Sequence, residues 1–344
     1  MNTYLSLKLK ILSFICMVFV VFRHALIIID DKIPYPFLQS FTTSGFTFIA
    51  VPLFFIISGY LYFLSYKNTI EDYFSKTKKR IKTLLIPYLI VSSIYLLLII
   101  IPFTQKYQSS SLYLKDKPFL EKFLETFIFN PPGQLWFLKD LFVLILVTPI
   151  IYWLIKYLKF YFILILVLLW FPIIPFKFYI FQNEALLFFS LGAYLTTIQD
   201  FLLQKRKGYF YYLTTFIWLS ILTIISLPYI ISDSILYDVL LKVSIIWGII
   251  SVWGLYDICM KDRKTPNEFL LNISQYSFFI YLTHAPIILN SFKKTSIIFI
   301  KKSDSLLPFL YFFNVFITII LCIIIAKILQ KYTPKLYNFV TGGR

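Results

Sequence analysis

Apolar segments of about 17–25 residues recur along this chain from end to end, and each is long enough for a helix to cross a hydrocarbon core about 30 Å thick. That recurrence constrains the fold more than any single motif. The expected spans are 9–29, 42–66, 83–104, 133–155, 160–176, 183–200, 209–228, 236–258, 272–292 and 306–330, about ten in all. Composition agrees: a chain with 59% hydrophobic residues and a mean hydropathy of +0.80 does not fold as a water-soluble globule. Neither a long soluble insertion nor a Gly/Ser linker interrupts the series. The expected architecture is an all-α integral membrane protein in which residues 1–344 form a single polytopic domain.

The first apolar run, Lys10 to Ile29, follows Lys8 and Lys10 as a secretory signal would. It is too long for one, however, contains Arg23 and His24, and lacks a small-residue cleavage site, so it reads as an uncleaved first helix. Cys16, Cys259 and Cys322 have no metal or redox spacing; they are expected to pack, and no metal site is expected. Lys and Arg favour the loops on one side. With the N-terminus inside, the inner loops, among them Lys67 to Lys82, carry about twice as many as the outer ones, which predicts N-in and C-in. The 105–132 and 293–305 segments then face outward. The net charge of +17 is thereby explained by topology and by attraction to anionic membrane lipids, and no nucleic-acid partner is expected.

Only two histidines occur in the chain. His24 follows Arg23 inside the first apolar run, where ionisable residues are costly unless they face protein or a wet cavity. A rise of 1.5 Å per residue puts His24 about 21 Å beyond Lys10, in the outer half of the membrane. At 100° per residue, Ser13 lies about 20° and Lys10 about 40° from the His24 direction, whereas Arg23 points about 100° away. One face of the helix therefore joins a cytoplasmic cation to a deep imidazole. An interfacial Arg and His reaching for headgroups is the alternative on this helix alone.

Further segments decide between these readings. VPLFFIISGYLYF, KKRIKTLLIPYL, GQLWFLKDLF and YSFFIYLTHAPII follow in that order. Together with the first-helix histidine they resemble membrane acyltransferase family 3 along nearly the whole chain. The resemblance implies a ten-helix bacterial cell-membrane enzyme that moves an acyl group, usually acetyl, from coenzyme A to a hydroxyl of a surface glycan. It implies acyl-CoA as co-substrate, no tightly bound cofactor, and a surface glycan or lipid-linked saccharide as acceptor. The family commonly has an arginine eleven residues before the histidine, where this chain has Ser13, and its basic pair at the third helix is here Arg80 with Lys82 and Thr83. Lys10, one turn from Ser13, or Arg80 is then expected to hold the nucleotide phosphates.

The residues fit those roles physically. The basic stretch from Lys67 to Lys82 suits phosphate charges arriving from the cytosol. Arg80, just before an apolar helix, can lean over a cavity mouth together with Lys82. Ser58 and Gly59 thin the second helix, for close packing or for passage of a pantetheine arm. Trp136 and Phe137 begin the fourth helix, as an interfacial belt or as a platform for a sugar ring, with Gly133 and Gln134 adjoining. Tyr281, His284 and Glu184 are expected on the acceptor side, and Asp30 and Asp31 are carboxylates able to orient an imidazole or acceptor. Acyl transfer to a hydroxyl needs a base, and His24 is expected to supply it; a covalent acyl-imidazole is chemically open too. A glycan transporter would predict inverted repeats and helices broken by paired Gly or Pro. No such repeat is visible, and the chain has only 9 glycines. A membrane scaffold accounts for the helices but not for two intramembrane histidines within an ordered set of motifs.

Overall fold

A computed structural model describes residues 3–29, 32–33, 35–100, 117–129, 131, 133–172, 174, 176–199, 208–227, 234–260, 268–301 and 303–343. Among them every regular element is a helix, apart from an isolated antiparallel bridge between Ile29 and Lys32. Six helices are long and apolar enough to cross a membrane: Thr3–His24, Pro36–Phe63, Ile70–Leu98, Gly208–Ile225, Ile235–Cys259 and Leu307–Tyr332. The adjoining helices Gly133–Leu146 and Thr148–Leu158 make a seventh if they count as one broken span. The protein is therefore a multi-pass, all-α membrane protein.

Besides the expected 133–155 span, which is that broken pair, three expected spans contain shorter or broken helices, for local reasons. Phe160–Trp170 has 11 residues, about 16 Å of rise, because the residue before Pro172 is pushed out of the helical region: Phe171 has φ −67° and ψ 147°. After it Asn183 ties the connection, its Nδ2 donating to Leu169 O at 2.9 Å and Phe176 O at 2.6 Å before the 13-residue helix Asn183–Leu195. The expected 272–292 span is split into Ser277–Thr283, a π turn His284–Ile288 and Leu289–Ile300, with Ala285 extended (φ −128°, ψ 154°) just before Pro286.

The chain forms two compact units that alternate along the sequence, one from residues 1–69 and 147–275, the other from 70–146 and 276–344. In the first, Ala50–Phe63 packs along Asn183–Leu195, and Gly208–Ile225 along Ile235–Cys259. The first pairing brings backbones together: a Cβ at Gly59 would lie 2.1 Å from Phe189 O, and one at Gly192 2.1 Å from Ile56 O. Small residues permit such approach in lipid, where packing rather than water exclusion drives association. The helix Ile235–Cys259 opens with Ser234 as its cap, whose hydroxyl accepts from Tyr237 N at 3.1 Å. Thr3–His24 rests on Ala50–Phe63 and on Glu268–Ser274.

The second unit begins with Ile70–Arg80, which has Glu71 and Asp72 in its first turn and Lys78, Lys79 and Arg80 in its last, matching the helix dipole at both ends. A π turn, Ile81–Leu85, leads into Ile86–Ile100, and Trp136–Leu146 packs on that turn. Along Leu307–Tyr332, Tyr311, Val315, Thr318, Cys322 and Ala326 are buried while Phe309, Phe313, Phe316, Ile320, Ile324 and Ile328 are exposed. A helix apolar on its exposed side as well as its buried side belongs in hydrocarbon. Ser296 Oγ donates to Asn314 Oδ1 at 2.9 Å and ties Leu289–Ile300 to that span.

Candidate functional site

The first unit holds Lys10, Ser13, His24, Ser58, Gly59 and Glu184. On Thr3–His24, Lys10 is exposed, while Ser13 and His24, the last residue of the helix, are half-buried. The chain beyond His24 is fixed by a side chain that mimics a strand partner: Ile27 N donates to Gln39 Oε1 at 2.8 Å and Gln39 Nε2 donates to Ile27 O at 3.2 Å. Arg23 lays its guanidinium on Phe48, with Cζ 3.8 Å from the ring centre. Glu184 accepts from Trp170 Nε1 at 3.3 Å and lies within electrostatic reach of Arg23 and Lys242. Lys242 in turn donates to Trp170 O and sits over the Trp170 ring at 5.3 Å. Gly59 is spent on the contact with Phe189; Ser58 beside it is half-buried. Asp30 and Asp31 lie outside the described residues.

Near the start of the first helix, Lys8 is 1% exposed, its Nζ 2.7 Å from Asp257 Oδ1, and Tyr4 donates to the same oxygen at 2.5 Å. Trp253 covers the ammonium, 3.8 Å from its ring centre. This lysine is a buried partner rather than a loop cation.

The second unit holds Arg80, Lys82, Trp136, Phe137, Tyr281 and His284. Half-buried Arg80 closes its helix, and exposed Lys82 stands on the π turn that follows. Phe137, Tyr281 and His284 come together. Tyr281 donates to Gln134 O; Gln134 Nε2 donates back to Tyr281 O at 3.4 Å and to Ala285 O at 3.2 Å. Phe137 meets the Tyr281 ring edge-on at 6.0 Å, and the Tyr281 and His284 rings are 6.5 Å apart. His284 is fully buried, with Nδ1 2.9 Å from Ile280 O. A carbonyl only accepts, so Nδ1 carries the hydrogen and the lone pair is on Nε2. Trp136 is half-buried, one residue past a short 3-10 turn, Gly133–Leu135, that starts with Gly133 at φ 49°. Among the described residues no group of three His, Cys, Asp or Glu is arranged to hold a metal.

The sequence model of the acyltransferase 3 family, described as an acyltransferase domain, matches residues 8–327. The chain belongs to this family. A relative, the succinoglycan biosynthesis protein ExoH of Rhizobium meliloti (strain 1021), is 27% identical over 313 residues, covering 86% of this chain and 79% of that protein. No solved structure matches the chain. As a family member the protein is a membrane-bound O-acyltransferase, and the match takes in parts of both units.

For an acyltransferase of this family, four ionisable side chains join those read from the sequence. Lys8, Asp140, Lys242 and Asp257 all lie in or against apolar spans, so the rule that singles out Arg23 and His24 covers them equally. Asp140 is 1% exposed, with Lys139 Nζ 3.3 Å from Oδ1. Gln39 carries no such signal, since a glutamine between Leu38 and Ser40 reads as ordinary connection.

Proposed function

We propose that the protein transfers an acyl group, acetyl in the first instance, from cytoplasmic acyl-CoA to a hydroxyl of an extracytoplasmic or lipid-linked glycan, in a bacterial inner membrane with both termini inside. The observation that carries this reading is the family match along residues 8–327, which takes in His24, the Arg80–Lys82 turn, Trp136, Phe137 and His284. A relative named for succinoglycan biosynthesis supports a polysaccharide acceptor. His24 removes the proton from the acceptor hydroxyl as its oxygen attacks the thioester carbonyl; the ester C–O bond forms, the C–S bond breaks, and the departing thiolate takes up the proton. Lys10, Arg80 and Lys82 hold the donor phosphates, with Ser13 beside Lys10, and Ser58 borders the path of the pantetheine arm. Trp136, Phe137, Glu184, Tyr281 and His284 serve the acceptor.

The test has two arms. Deletion in the host should remove base-labile acyl esters from a surface glycan, as read by NMR of the extracted polysaccharide, and the wild-type gene should restore them. Unchanged ester content overturns the reading. Purified protein in nanodiscs should bind acetyl-CoA, and Arg80→Ala should weaken that binding about tenfold or more, the loss of a charge-assisted hydrogen bond. Unaltered donor affinity would remove Arg80 from the donor site.

A further inference from the structure

Arg23 is the penultimate residue of the helix Thr3–His24. It is exposed, and its guanidinium lies over Phe48, with Cζ 3.8 Å from the ring centre and with Glu184 and Tyr237 in electrostatic reach. Among the described residues no carboxylate lies within ion-pair distance of the guanidinium and no acceptor takes its hydrogens. A ring contact at the central carbon leaves the N–H groups to form the fork that fits a carboxylate or phosphate with two parallel hydrogen bonds. Glu184, the carboxylate in electrostatic reach, accepts from Trp170 and is shared with Lys242, which donates to the Trp170 carbonyl. In a membrane span the Arg23 charge is costly unless a ligand or water meets it.

We propose that Arg23, seated on Phe48 beside Glu184 and Lys242, binds an oxyanion substituent of the acceptor glycan, a carboxylate or a phosphate, one residue from His24. This rests on the acyl-transfer reading and narrows its acceptor to an acidic glycan. Arg23 is a recognition residue in this account and takes no part in proton transfer.

The experiment starts from the glycan that loses its ester on deletion of the gene. That glycan should carry a carboxylate or phosphate in its repeating unit; ester loss from a neutral glycan leaves the activity standing and overturns the inference, whereas no ester loss overturns the activity itself. Wild type and Arg23→Gln are then assayed in nanodiscs of one lipid composition, with the native oligosaccharide and with a derivative whose carboxylates are reduced to alcohols or whose phosphates are removed. Arg23→Gln should raise KM for the native acceptor about 10–100-fold, the loss of hydrogen bonds to a charged group, with kcat within about threefold and the neutral derivative unaffected. Equal losses on both acceptors would assign Arg23 to a lipid headgroup or to the fold and overturn the inference. If Arg23→Gln fails to reach the membrane, Lys242→Gln reads the same selectivity with the arginine in place: it should lower the preference for the charged acceptor, and an unchanged preference overturns the proposal.

Discussion

Lys8 and Lys10 stand two positions apart, which on a helix turns them about 200° from each other, so one meets protein while the other is exposed. Charge counting treats both as cytoplasmic cations, because a pair 249 positions apart leaves no local trace. Removing one partner of a buried pair strands the other charge, so Lys8→Met or Asp257→Leu alone is predicted to destabilise by about 3–5 kcal/mol and the double replacement by much less. Thermal unfolding in detergent reads this; a double variant as unstable as the worse single one would refute the pairing. A histidine in an apolar run stands out from the sequence, whereas the pairing of Gln39 with the Ile27 backbone does not, since that depends on where the chain turns back. His24→Ala is predicted to slow transfer by about 10²–10⁴-fold while leaving acetyl-CoA binding intact. Residual activity within about tenfold of wild type would leave a structural histidine. Lys10→Ala should weaken donor binding and Ser13→Arg should restore it in that background; a harmless Lys10→Ala with no effect of Ser13→Arg would move the phosphates to the Lys76–Lys82 stretch.

The helix Ala50–Phe63 illustrates what an element's sequence conveys. FFIISGY admits two readings, close packing or passage for a flexible arm, and geometry assigns Gly59 to packing against Phe189 while Gly192 receives Ile56 in the same way. Neither choice is visible from one strip of sequence, because the partner helix lies more than a hundred residues away. Gly59→Val is therefore predicted to lower the yield of folded protein severely, through overlap with backbone that cannot move aside, whereas Ser58→Ala should be tolerated. Size-exclusion chromatography of fluorescently tagged protein separates these outcomes, and a normally folded Gly59→Val would refute the close crossing. Breaks leave a local mark in the sequence, although the expected spans 160–176 and 272–292 ran through both of them. Pro172 and Pro286 announce the end of Phe160–Trp170 and the split at His284, but the bracing of that split by Gln134 depends on a contact across 151 positions.

At the scale of the whole molecule, apolar run lengths pointed to the membrane class, because the hydrocarbon thickness acts on every segment alike, but among the described residues six helices, or seven with the broken pair, are long and apolar enough to cross, against about ten expected. The alternation of two units along the chain had no such signature: no linker or shift of composition marks residues 69–70, 146–147 or 275–276. Orientation is open to a direct test. In a cysteine-free background, Ser303→Cys is predicted to react with an impermeant maleimide on intact cells and Thr69→Cys only after lysis; the reverse pattern would invert the topology. The buried ammonium of Lys8 also bears on how the protein is made. At about 5–20 residues per second, the 249 positions between Lys8 and Asp257 take roughly 12–50 s to synthesise. Throughout that interval the emerging N-terminal helix has a cation and no carboxylate to meet it, so its ammonium must stay among water and headgroups. The helix Thr3–His24 is therefore predicted to take its final seat only after Asp257 has been made, so that a nascent chain stalled before Asp257 leaves the Lys8 ammonium open to a water-soluble amine reagent.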